Sequence, residues 1–98
     1  MKVKKEKFNA MSLEEQIDFL HSVPVTFWIC WDCYAPDLLI LDYNSKYELK
    51  IKSRISQEWF EIDRLEYLGD GKFVAHSGDI SFSFIPYYAV KSFYGGYR

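Results

Sequence analysis

The clearest hydrophobic period in the chain runs over residues 80–94. Ile80, Phe82 and Phe84 fall on one side of an extended chain and Ser81 and Ser83 on the other, the two-residue alternation of a half-buried strand. Pro86, with no amide hydrogen to give a ladder, is expected to end that run. Ala89, Val90 and Phe93 then turn back over the same core as a second short strand, and Gly95 and Gly96 close it, leaving residues 95–98 as a tail.

The period changes near the N-terminus. Leu13, Ile17 and Leu20 recur at i, i+4 and i+7 with Phe19 beside them, so residues 12–23 are predicted to form a helix with one apolar stripe. Ser12 and Glu15 have the spacing of a capping box, which satisfies two orphan amides reciprocally. Pro24 stops the helix. Before it, Lys2, Lys4, Lys5 and Lys7 with Glu6 read as a basic arm over residues 1–11, solvated and partly frayed, with a phosphate-contacting arm as the alternative.

From residue 25 to residue 94 the pattern predicts antiparallel strands. Residues 25–34 are apolar at almost every position, with Val25, Phe27, Ile29 and Trp31 on one face and Trp28 and Cys30 on the other, as in a central strand covered on both sides. Residues 38–52 read as a hairpin in which Tyr47, Leu49 and Ile51 point inward and Glu48, Lys50 and Lys52 outward. Residues 56–68 fit a helical spacing through Trp59, Ile62, Leu65 and Leu68. They fit two short strands kinked at Asp63 and Arg64 better, because Gly69, Asp70 and Gly71 form a hairpin turn that needs a strand on each side. Ser77, Gly78 and Asp79 are the next turn. The expected fold is one α+β domain over residues 1–98, an N-terminal helix packed on a strongly bent antiparallel sheet or a small Sm/SH3-like barrel.

Composition narrows the functional classes. Nineteen per cent aromatic residues supply ample surface for a β core and exclude wholesale disorder. A formal net charge of −2 gives no global attraction to nucleic acid or anionic lipid, so such binding needs a local basic patch. No apolar run reaches membrane-spanning length, and the lysines at the start are not followed by a signal-peptide core. A cytoplasmic location with reduced cysteines and no membrane contact is expected.

Candidate chemistry is sparse. Cys30 and Cys33 have C-x-x-C spacing, which serves redox exchange or metal binding when a helix follows; here Pro36 intervenes, and an extended chain would point the two sulfurs to opposite faces. Buried structural thiols are therefore expected, with a thiol or zinc site as an alternative. His21 reads as a helix C-terminal residue and His76 as a polar strand position. No nucleophile elbow, phosphate loop or dinucleotide fingerprint occurs, and neither an enzyme nor a cofactor is expected. Glu58, Glu61, Asp63, Glu66 and Asp70 form an acidic run that could occupy a basic site on a partner, or act as a solvated edge that resists aggregation. Lys46, Lys50, Lys52 and Arg54 make an opposing basic strip.

The phrase Phe84, Ile85, Pro86, Tyr87, Tyr88, Ala89, Val90, followed by Tyr94, resembles the end of the stringent starvation protein B family, which is built on the Sm-like small barrel. That resemblance implies the barrel fold. It also implies either delivery of tagged peptides to a protease, as in that family, or RNA binding, as in other Sm-like proteins. This chain lacks the first Sm motif's glycine and aspartate signature and a basic pair in the closing turn, so no functional residue carries over.

Together these features predict a non-catalytic protein-interaction module, an adaptor or a small inhibitor of a partner protein such as a phage or mobile-element antidefence (anti-CRISPR) protein. The acidic run and the aromatics Tyr87, Tyr88, Tyr94 and Tyr97 are the expected contacts. The alternative is an Sm-like nucleic-acid-binding protein using the basic strip, with tyrosines stacking on bases.

Overall fold

The computed structural model describes residues 3–25, 27–30, 38–45, 47–54 and 57–87. Two N-terminal helices, α1 (Lys5–Asn9) and α2 (Leu13–His21), pack on a strongly curled, half-barrel antiparallel sheet. Its strands are β1 (Phe27–Cys30), β2 (Leu38–Asp42), β3 (Lys50–Ser53), β4 (Phe60–Glu61), β5 (Arg64–Gly69), β6 (Lys72–Ser77) and β7 (Ile80–Tyr87), in the spatial order β4-β3-β2-β1-β7-β6-β5. The expected α+β architecture is present. No helix among the described residues is long and apolar enough to cross a membrane.

The capping box forms as its spacing predicts: the Ser12 hydroxyl accepts from Glu15 N–H at 3.2 Å, and the Glu15 carboxylate accepts from Ser12 N–H at 3.0 Å. Ile17 and Leu20 are fully buried, and Leu13 and Phe19 flank them. The basic arm is a correction, because residues 5–9 are helical rather than frayed. A five-residue helix is too short to persist on propensity. Phe8 anchors it: the ring is fully buried and meets Phe19, Tyr67 and Phe73 edge to face at 5.5, 5.9 and 5.5 Å.

β1 is central, as its apolar run implies, and its residues alternate as expected, with Trp28 and Cys30 on the face opposite Phe27 and Ile29. Trp28 enters the core, meeting Phe84 edge to face at 5.3 Å, while Phe27 and Ile29 lie half-buried on the outside. Tyr47 is also a correction. β3 begins only at Lys50, so Tyr47 falls in the connection over 43–49 and is 64% exposed. Ile80 is 45% exposed because it closes the β6–β7 hairpin opposite Ser77, at a tip the core does not reach.

Pro86 does not end its strand. β7 pairs with β6 only as far as Phe84, whereas Ile85, Pro86 and Tyr87 continue along β1 opposite Ile29, Trp28 and Phe27. Pro86 thus stands past the last β6 pair, where a missing amide is tolerated as it is on an edge. The predicted second strand after it and the tail lie outside the described residues.

The expected kink at Asp63 is the corner of the fold. Ile62 N–H donates to Leu49 C=O at 2.8 Å on the β3 side, and the next amide, Asp63 N–H, donates to His76 C=O at 2.7 Å on the β6 side. One residue step therefore carries the chain from one end of the sheet to the other, and the curl brings Phe60 of β4 within 5.4 Å of Phe82 of β7, ring to ring. Beyond the corner, Asp70 and Gly71 take positive φ values of 55° and 79°, the backbone twist that matches a two-residue hairpin.

The two sheet edges are blunted in different ways. β4 is only two residues long. β5 is covered by the helices: the Gln16 carboxamide bonds both polar groups of Leu65, and the Asn9 carboxamide both polar groups of Tyr67. Leu65 and Tyr67 are two apart and point their N–H and C=O groups the same way, so the two amide side chains stand where a neighbouring strand would.

Candidate functional site

The outer face of β2, β3 and β4 is built by register. Opposite residues of an antiparallel pair share a face. Leu39, Leu41 and Ile51 face inward, so Ile40, Asp42, Lys50 and Lys52 face out, with Ile40 opposite Lys52, Asp42 opposite Lys50, and Lys50 opposite Glu61. Two rows result.

The first row is Ile40, Lys52 and Trp59. Ile40 and Trp59 are each 40% exposed, and the Lys52 ammonium lies 4.9 Å from the Trp59 ring centroid, in cation–π range. Among the described residues no carboxylate stands within ion-pair distance of Lys52. The second row, Asp42, Lys50 and Glu61, alternates in sign across three strands. Beside it, Asp42, Asn44, Ser45, Glu48 and Lys50 line a shallow cleft in which the Asp42 carboxylate accepts from Asn44.

The acidic run does not form one surface. Glu61 flanks Lys50, and Glu58 is exposed just before Trp59. Asp63 accepts from Gly78 N–H at 2.8 Å, tying the corner to the β6–β7 turn. Asp70 occupies the β5–β6 turn. Glu66 lies on the outer face of β5 with its Oε1 3.1 Å from His76 Nε2 and 3.9 Å from Arg64 Nη1. The acidic and basic stretches, separate along the chain, interleave on the sheet.

Of the basic strip, Lys50 and Lys52 share the outer face of β3 and Arg54 is exposed just past its end, while Lys46 lies outside the described residues. Of the aromatic set, Tyr87 stacks on Phe27 at 4.3 Å and 15° on the outside of β7 and β1; Tyr88, Tyr94 and Tyr97 lie outside the described residues. Cys30, the last residue of β1, is disulfide-bonded, which corrects the expectation of a reduced thiol there. That expectation rested on a cytoplasmic location and on an extended chain past Cys30, over residues that lie outside the described ones. Cys33 lies outside the described residues. Among those described, no group of three or more His, Cys, Asp or Glu side chains could hold a metal ion.

Sequence reading missed Ile40 and Trp59 as surface residues. Ile40 sits in an apolar run, and Trp59 matches a helical core spacing. The available signal was the register of the 38–52 hairpin, which places Ile40 on the same face as Lys52. Comparison with protein-family models, with curated proteins and with solved structures finds no match for this chain.

Proposed function

We propose that this chain is a non-catalytic protein-interaction module, acting as an adaptor or as an inhibitor of a partner protein, and that it docks through the outer face of β2, β3 and β4. The observation that carries this reading is the outward-facing row Ile40, Lys52, Trp59, exposed at both ends, on a sheet whose β5 edge is covered and whose β4 edge is only two residues long. A covered edge and a very short one disfavour extension by a partner's strand, so recognition falls to side chains on a face. An exposed tryptophan beside an isoleucine is the kind of group that anchors interfaces. Lys50, Arg54, Glu58 and Glu61 rim the row and supply charges of both signs for register. Those carboxylates beside the lysines oppose a phosphate backbone, which favours a protein partner over nucleic acid.

Retention of a partner from lysate on the immobilised chain, with and without nuclease, tests the reading. A protein retained stoichiometrically after nuclease, and lost with Ile40→Asp or Trp59→Ala variants that keep the wild-type circular dichroism, supports it. Retention that vanishes with nuclease and falls steeply with salt overturns it in favour of nucleic acid stacking on Trp59.

A further inference from the structure

We propose that the row recognises an amphipathic helix of the partner, presenting apolar, acidic and apolar side chains at i, i+3 or i+4, and i+7, with its carboxylate seated on Lys52. This rests on the protein-interaction reading above. Ile40 lies on β2, Lys52 on β3 and Trp59 one residue before β4, so Ile40 and Trp59 stand roughly two strand spacings apart, about 10 Å. Seven residues of helix rise about 10.5 Å, and the intervening position falls midway, over β3. Apolar side chains of such a helix meet Ile40 and the Trp59 ring at the ends.

Lys52 decides the centre. Its ammonium rests on the Trp59 ring with no carboxylate beside it among the described residues, so an apolar partner would bury an unpaired charge at the middle of the contact. An acidic side chain there completes the charge while leaving the cation–π contact in place. Neighbouring charges fix the orientation. Asp42, Lys50 and Glu61 lie two residues along their strands, about 7 Å away, and on the flank of the helix that faces them they favour basic residues at the ends and an acidic one at the centre.

The test titrates two synthetic helical peptides into the full-length chain and follows backbone amide resonances. One carries Leu-x-x-Glu-x-x-x-Leu and the other Lys in place of Glu. The expected result is perturbation centred on residues 40, 52 and 59, with the acidic peptide bound at least about tenfold tighter than the basic one. Lys52→Glu reverses that preference, and Trp59→Ala weakens both peptides about tenfold or more. Equal binding of the two peptides, an unchanged preference in Lys52→Glu, or no perturbation at the row overturns the helix assignment. If the peptides fail while Trp59→Ala still abolishes protein retention from lysate, the interaction reading stands and this inference alone falls. If retention is indifferent to the row, both fall.

Discussion

Gln16 holds Leu65 by both of its backbone polar groups. The side-chain Oε1 accepts from Leu65 N–H at 3.2 Å, and Nε2 donates to Leu65 C=O at 3.0 Å and to Phe8 C=O at 3.1 Å. Gln16 is only 2% exposed, so no water competes for these bonds. A single carboxamide thereby joins the end of α1, the face of α2 and the edge of the sheet.

Gln16→Leu keeps the volume and removes every partner. It orphans both buried polar groups of Leu65, while Phe8 C=O keeps Met11 N–H, and the expected loss is about 3 kcal/mol, read as a shift of the urea midpoint at unchanged slope. Asn9→Ala should cost less, about 1 to 2 kcal/mol, because its bonds to Tyr67 are only partly buried. A Gln16→Leu chain as stable as wild type would show that the edge is satisfied in another way.

Phe8→Ala should uncouple α1. The ring fills a fully buried site among Phe19, Tyr67 and Phe73, and its removal is expected to cost about 3 to 5 kcal/mol. Hydrogen exchange distinguishes this from uniform loosening: amides of residues 8–11 should lose more protection than those of β6. Protection surviving in α1 would mean that its backbone, and not its one large apolar side chain, holds it.

Much of the fold is legible in local chemistry. The Ser12 and Glu15 box, the turn at Asp70 and Gly71, and the break at Asp63 are each encoded within four residues, and each forms where expected. What was not legible depends on partners far along the chain. Phe8 makes a helix of a lysine-rich arm only because Tyr67 and Phe73 wait for it, and Gln16 is polar on a core-facing stripe because β5 needs an edge. Pro86 survives in a strand because β6 has already ended beside it. The candidate row was hidden for a similar reason. Ile40 and Trp59 are apolar, and only cross-strand register places them outside the curl.

Asp63→Ala should weaken the corner without dissolving the core. The carboxylate is exposed but accepts from Gly78 N–H, and its loss is expected to cost about 1 kcal/mol. Asp63→Asn keeps an acceptor oxygen and should recover most of that loss in thermal melts. An Asn variant as unstable as the Ala variant would assign the effect to charge instead of to the bond.

Gly78→Ala isolates backbone strain in the same turn. Gly78 has φ of 61°, and nothing lies within 4 Å of the position an added Cβ would take, so no clash contributes. The left-handed conformation alone is expected to cost about 1 to 2 kcal/mol for alanine. Asparagine enters that region more readily, so Gly78→Asn should lose less. Because Gly78 N–H also donates to Asp63, the two substitutions share a contact and should not add. A double-mutant cycle of Asp63→Ala with Gly78→Ala should therefore show a coupling of about 0.5 kcal/mol or more. Strict additivity would mean that the turn and the corner are set independently, and that closure of the sheet at Asp63 relies on its backbone bond to His76.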